Sequence, residues 1–271
     1  MIHLVVALPA EARPLASHFS LRSAAEGSPF RIYEGEEISL IVSGIGKTAA
    51  AAAVAYQFAR SGELRNRAWL NVGIAGHRAR PVGEPLVAHK VVDEGSGRSW
   101  FPPAVFELPC ESGVVRTVDR VEREYPADAA YDMEASGFCA SASRLATSEL
   151  VQVLKVVSDN RSRGPDGISP GEVEALVEGR LETVDRLVAA CAALARELDE
   201  RQAEPTAFPE LSRRWRFTVS ERRLLRRLLR RLATLDPEGE PLLEAVAPAR
   251  SGEQALKILQ ERLDSRAVGW S

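Results

Sequence analysis

Over its first 160 residues the chain alternates between short apolar runs of strand length and longer small-residue segments of helical character. That alternation restricts the fold more than any other feature. IHLVVA (residues 2–7) is an apolar run with no polar face, the mark of a strand covered on both sides. FRIYE (30–34) and EISLIV (37–42) predict a hairpin turning at Gly35-Glu36. AWLNV (68–72) predicts another buried strand, ended by Gly73 and Gly76. Residues 83–92, GVVRTV (113–118), AAYDM (129–133) and LVQVLKVVSD (150–159) complete the set. Between them, Lys47 to Arg60 is alanine-rich and Glu134 to Leu145 is built of small residues, so both predict helices. Residues 96–112 hold Gly97, Pro102, Pro103 and Pro109 and predict a loop. Strands alternating with helices imply an α/β domain whose sheet is largely parallel in its core.

Beyond Asp159 the pattern changes. DNRSRGPDG (159–167) is turn-rich, and Ser169-Pro170-Gly171-Glu172 then opens a helix with Ser at the N-cap, Pro at N1 and Glu at N3. Apolar spacing carries that helix to about residue 200. Residues 202–210 form a linker with two prolines. Thr218-Val219-Ser220-Glu221 predicts a second capping box, and a final helix covers about 252–265. The organisation expected is a domain over 1–200 and a helical extension over 201–271.

Composition narrows the function classes. Basic and acidic residues number 35 and 38, for a net charge of −3, so the whole chain is no polyanion coat. Apolar residues make up 45%, enough for a sizeable core. Three cysteines without a CxxC spacing argue against a disulfide framework or a zinc ribbon and fit a cytoplasmic location. The N-terminus has no basic leader, and no run approaches about 18 apolar residues, so no membrane span is expected. No histidine pair has metal-ligand spacing. His77 is the one histidine that could reach a site at a strand end.

Three acids sit where strands end: Glu11, Glu134 and Asp159. In open parallel sheets, ligands bind at the carboxyl ends of strands. Carboxylates meeting there suit a reaction that develops positive charge, such as glycosidic cleavage, and equally suit capping of helix N-termini. The Gly44-Ile45-Gly46-Lys47-Thr48 turn ends like a Walker A loop, but Ile41 stands where that loop needs glycine, and Ala49 breaks the dinucleotide pattern. It is either a tight strand-to-helix turn or a close backbone approach to a ligand.

Six pieces, ALPAE (7–11), SGIGKTAAAAA (43–53), NVGIAG (71–76), VGEPLVAHKVV (82–92), YDMEASGF (131–138) and VVSDN (156–160), occur in the order found in the nucleoside phosphorylase superfamily. Over roughly residues 1–200 the chain resembles methylthioadenosine/S-adenosylhomocysteine nucleosidase. It is also similar to the shorter hopanoid-associated phosphorylase-like proteins, which share the TVDRV strand (117–121). The resemblance implies a phosphorylase/hydrolase-like three-layer sandwich with a mixed, largely parallel central sheet, followed here by the helical extension. It implies that Glu134 binds the ribose 2′- and 3′-hydroxyls, that Asp159 protonates purine N7 as the base leaves, and that Glu11 orients the hydrolytic water. Met133 would pack on the ribose, and Gly46, Gly73, Ala75, Gly76 and Ser158 would line the substrate site. No cofactor or metal is implied, and a homo-oligomer is.

The departures from that pattern carry information too. Ile74 stands where the nucleosidases usually have serine, and the Gly-Asp-Pro-x-Arg phosphate motif is missing. Arg13, and then Lys47, are the cations left for phosphate, so water is favoured over phosphate as nucleophile. The segment from Gly76 to Asp132 is short, leaving Trp100 and Phe101 as candidate walls for a 5′ substituent. The expected function is cleavage of the N-glycosidic bond of a purine nucleoside or 5′-thionucleoside. The alternatives are a non-catalytic nucleoside sensor and a nucleic-acid-associated protein that recognises a modified base. The last would use residues 213–231, where nine arginines face one acid, Glu221. The favoured reading of that segment is an amphipathic helix docked on the body by its leucines, with a nucleic-acid or anionic-membrane contact as the alternatives. Trp215 and Phe217 beside the arginines could stack on bases.

Overall fold

Strand Ile2–Val6 (β1) is buried at every position, because it lies in the middle of a sheet with helices on both faces. The computed structural model describes the chain apart from residues 25–26, 63–65, 237–238, 240 and 268–271. It divides into two compact units, Met1–Asp199 and Glu200–Ser271.

In the first unit, β1 is followed by Pro9–His18 (α1), Arg22–Ser23 (β2), Arg31–Glu34 (β3), Ile38–Val42 (β4) and Lys47–Arg60 (α2). Then come Ala68–His77 (β5), Pro85–Asp93 (β6), Ser99–Trp100 (β7), Ser112–Thr117 (β8) and Ala130–Asp132 (β9). Ala135–Ala142 (α3), Val151–Asn160 (β10), Pro170–Glu178 (α4) and Leu181–Gln202 (α5) complete it. The central strands β4, β1, β5 and β10 are parallel. The rim is mixed: β10 pairs antiparallel with β6, β6 and β8 run parallel, as do β8 and β9, and β9 returns antiparallel to β5. Strands β5, β10, β6, β8 and β9 therefore close into a ring. The ring brings the carboxyl ends of β5 and β10 beside β9, with Gly76 opposite both Tyr131 and Asp159.

Side chains alternate between two cores, as the two-residue strand period requires. Leu4, Val6, Leu70, Val72, Leu154 and Val156 pack in one core with Leu15, Val177 and Leu187 of α1, α4 and α5. Val5, Ile41, Trp69 and Val153 pack in the other with Ala53, Val54 and Phe138 of α2 and α3. This is a three-layer α/β/α arrangement. α2 and α3 touch so closely that a Cβ on Gly137 would lie 1.9 Å from the Lys47 carbonyl oxygen.

The structure corrects several boundaries. β5 does not end at Val72 but continues through Gly73 and Gly76 to His77, so this stretch is strand and not a turn. Within the predicted loop 96–112, Ser99–Trp100 pairs with β6. The predicted helix to residue 200 is broken at Gly179-Arg180 into α4 and α5. Its Ser169–Glu172 capping box forms as expected, as does that of Thr218–Glu221.

The second unit holds Phe208–Arg214 (α6), which starts inside the predicted linker, then Val219–Leu235 (α7), Leu242–Ala245 (α8) and Gly252–Ala267 (α9). Leu225, Leu228, Leu229 and Leu232 of α7 are buried with Leu211, Val246, Leu256, Leu259 and Leu263. The leucines thus pack in a core of the unit itself, where the sequence suggested the body as their partner. No helix among the described residues is long and apolar enough to cross a membrane.

Gly137→Ala forces α2 and α3 apart and should destabilise the protein by about 1–3 kcal/mol or more, read as a fall in the urea midpoint. Gly171→Ala, where a Cβ meets nothing within 4 Å, should be neutral or slightly stabilising.

Candidate active site

The end of β10 decides the site. Val157 is opposite Ala75 and Asp159 is opposite Gly76, so Ser158 is an extra residue in the ladder, a β-bulge. In a regular strand, neighbouring side chains point to opposite faces. The bulge re-aims the strand, and Ser158 and Asp159 both line the same cavity. That cavity has a volume of about 300 Å³. Glu11, Glu134, Met133, Ala75 and Gly76 also line it, with Leu8, Ile45, Val118, Val121 and Val173 supplying apolar wall.

Glu11 enters from the first turn of α1. Leu8 at the N-cap has no acceptor of its own, so the Glu11 carboxylate takes the free N–H groups. Its Oε2 accepts from Ala7 (2.8 Å) and Leu8 (2.9 Å), and its Oε1 accepts from Ile74 on β5 (2.9 Å). Gly73 makes room for this, since a Cβ there would lie 2.8 Å from Oε1. Burial raises the Glu11 pKa, against the opposing pull of Lys155 and the three N–H groups.

Glu134 stands at the N-cap of α3, and its Oε1 accepts from the Gly46 N–H at 2.8 Å. Gly46 adopts φ +103° and Gly44 φ +85°, so the 44–46 turn needs glycine and also delivers a hydrogen bond to the site. Burial pushes the Glu134 pKa up to about 6; Lys155 and the Gly46 N–H oppose this, while Asp132 and Glu11 add to it.

Beneath these groups lies a lysine outside the six motif pieces. Lys155 is 1% exposed and its Nζ is 2.8 Å from Asp132 Oδ2. Burial works to lower its pKa, but the charges of Asp132, Glu134 and Glu11 outweigh it, and the ammonium is retained. Asp132 itself accepts from Thr117 Oγ1 (2.7 Å) and from the Ala135 N–H (2.8 Å) at the start of α3. The cluster therefore holds three carboxylates against one ammonium. Lys155 had a signal in the sequence: it is the only charged residue within the apolar run 150–158.

Asp159 is held by two hydroxyls: Ser158 donates to Oδ1 and Tyr125 to Oδ2. Tyr125 is fully buried, adopts φ +45° and packs edge-on to Tyr131. Arg161 ties its loop down by donating to the carbonyls of Glu124 and Tyr125. Gly76 lets the ring and the carboxylate meet, because a Cβ would sit 2.5 Å from Asp159 Oδ2 and 2.6 Å from the Tyr125 ring. Burial and the Asp159 partnership raise the phenol pKa, so Tyr125 stays a donor. Nothing in the sequence marked Tyr125, since its contact depends on the path of an irregular loop.

Other expectations fail. Arg13 points to the surface, where it pairs with Glu174, and it does not line the cavity. Lys47 is held by Asp93 (3.0 Å) and Asp119 (2.9 Å). Neither is free for phosphate. Trp100 lies under Arg98, and Phe101 is 65% exposed under Lys90, so neither walls the cavity. His77 turns away, its Nδ1 accepting from the Ala79 and Arg80 N–H groups. Among the described residues, no group of three or more His, Cys, Asp and Glu is placed to hold a metal ion.

No family model and no curated protein matches the sequence. Solved structures do match in fold. The Helicobacter pylori 5′-methylthioadenosine/S-adenosylhomocysteine nucleosidase, crystallised with butyl-thio-DADMe-Immucillin-A, superposes with a TM-score of 0.58 at 16% identity, over 70% of this chain and 97% of its own. At that identity the match shows the fold alone: the chain shares the α/β/α fold of this nucleosidase. The Arabidopsis thaliana 5′-methylthioadenosine nucleosidase (TM-score 0.56, 17% identity, 70% and 95% covered) has the same fold. So does the Helicobacter pylori futalosine hydrolase (TM-score 0.56, 14% identity, 70% and 97% covered).

Glu134 generates a pH test. Its folded-state value lies above the ordinary 4.5, so the folded protein holds this proton more tightly than the unfolded chain. Ionisation then costs stability as pH rises from about 4.5 through 6, by up to about 2 kcal/mol at pH 8. Glu134→Gln keeps an acceptor for the Gly46 N–H and loses the charge. It should be more stable than the parent at pH 8 in urea unfolding, with the gap falling by more than half at pH 5. A gap independent of pH would contradict the assignment.

Proposed function

We propose that the protein cleaves the N-glycosidic bond of a purine nucleoside or 5′-thionucleoside, with water as the nucleophile. The observation that carries this reading is the convergence of Glu11, Glu134 and Asp159, each from a different strand end, on one cavity of about 300 Å³. The solved neighbours, named as nucleosidases and a hydrolase, support it.

In this reading the base lies against Asp159, which protonates N7 as the bond to C1′ breaks. A departing purine anion is a poor leaving group, and a placed acid contributes about 10²–10⁴-fold. Ser158 and Tyr125 hold that carboxyl in one orientation. Glu134 takes the two ribose hydroxyls, which need a bidentate acceptor, with Met133 against the sugar. The sugar becomes oxocarbenium-like, and the surplus negative charge of Glu11, Asp132 and Glu134 over Lys155 stabilises it. Glu11, fixed by three backbone N–H groups, orients the water. The same surplus disfavours a phosphate dianion, and the two candidate phosphate cations are already paired.

The test incubates the protein with adenosine, inosine and methylthioadenosine, with and without phosphate. The expected products are free base and free sugar, at a rate independent of phosphate. Sugar 1-phosphate formed only when phosphate is present would replace water by phosphate in the reading. Tight nucleoside binding without turnover would favour a sensor instead. Asp159→Asn should lower kcat at least 10²-fold with an unchanged unfolding midpoint; unchanged turnover would remove Asp159 from its role.

A further inference from the structure

We propose that the second unit binds the phosphate backbone of nucleic acid through the arginine face of α7, independently of the nucleoside site. The helix divides its circumference in two. Successive pairs Arg222-Arg223, Arg226-Arg227 and Arg230-Arg231 occupy one half, and the leucines occupy the other. The leucine half is buried in the unit's own core. The arginine half is left to solvent: Arg222, Arg223, Arg227, Arg230 and Arg231 are all exposed.

Two observations separate this face from an ordinary solvated one. The first is pairing. Three cations of the unit find carboxylates, Arg262 and Arg266 on Asp236 and Lys257 on Glu261. On α7 Arg226 does so, on Glu204. Among the described residues of this unit, Arg222, Arg223, Arg227 and Arg231 have no carboxylate within 4 Å. Leaving four guanidinium groups side by side costs self-repulsion that a polyanion would relieve.

The second is geometry. Arginines four residues apart lie about 6 Å apart along the helix axis, and Arg223 to Arg231 spans about 12 Å. Over that length a duplex carries about seven phosphates. Guanidinium forks match phosphate oxygens bidentately.

A membrane fits less well. Bilayer binding by an amphipathic helix needs an apolar stripe free to enter the interface. Here that stripe is spent on the core, and the exposed apolar residues Val219 and Leu235 stand at opposite ends of α7. Base reading by stacking is not supported either. Trp215 is half-buried under the Arg214 guanidinium, 4.6 Å from the ring centroid, and Phe217 packs on Gly252. The contact is therefore electrostatic and indifferent to sequence.

The experiment uses the full chain, a fluorescent 20-base-pair DNA duplex and a 20-nucleotide RNA, titrated from 50 to 200 mM salt. The comparison variant is Arg222→Gln/Arg223→Gln/Arg227→Gln/Arg231→Gln, which keeps helix propensity. Circular dichroism and the unfolding midpoint check that it folds. With four phosphate contacts, log K on the duplex should fall against log salt with a slope of about −4, a loss of about 10²-fold over this range. The variant should lose that salt-dependent binding. No binding by the parent at 50 mM salt, an unchanged slope in the folded variant, equal binding of polyglutamate, or binding confined to phosphatidylserine vesicles would each overturn the proposal. Because the readout needs no nucleoside turnover, failure of the nucleosidase reading leaves it untouched.

Discussion

The buried ammonium of Lys155 is the contact on which the rest of the site depends. Three carboxylates, Glu11, Asp132 and Glu134, surround it in an interior where like charges repel strongly. The lysine opposes the rise that burial gives the Glu11 and Glu134 pKa values. Its ion pair holds Asp132 where it accepts from Thr117 and the first turn of α3, and so fixes where that helix begins. The start of α3 in turn sets Glu134. Three carboxyl groups and one ammonium thus share one interior cluster beside the cavity.

The backbone is arranged to let these groups meet. Gly73 and Gly76 lie within a continuous strand, and each faces a carboxylate where any side chain would collide. The β-bulge at Ser158 turns two successive side chains into one cavity. The ring of β5, β10, β6, β8 and β9 closes around them. Glu134, raised to about 6 chiefly by burial, shows the cost of placing a carboxyl group here.

Much of this was legible beforehand, for identifiable reasons. Uninterrupted apolar runs announce strands covered on both faces, so β1, β4 and β10 were visible as such. Ser169 and Thr218 announce helix starts by their own side-chain chemistry. Glu11, Glu134 and Asp159 could be found because strand ends are where an α/β sheet collects its ligands. What escaped depends on contacts distant in the sequence. Gly73 and Gly76 look like a turn until Glu11 and Asp159 occupy the space beside them. Arg13 looks free until Glu174 is folded against it, 161 residues away. Tyr125 reaches Asp159 through an irregular loop with positive φ, and no periodicity encodes that path. Lys155 was readable in principle, as a lone charge in a buried strand, but its three partners were not.

Chemical denaturation of Lys155→Met, Asp132→Asn and the double variant at pH 7 tests this account most directly. Removing one partner of a buried pair leaves the other charge stranded. Lys155→Met should therefore cost about 3–5 kcal/mol, and adding Asp132→Asn should restore a large part of that loss. Additive losses in the double variant, or a Lys155→Met protein as stable as the parent, would contradict the claim that this ammonium holds the carboxylates in place.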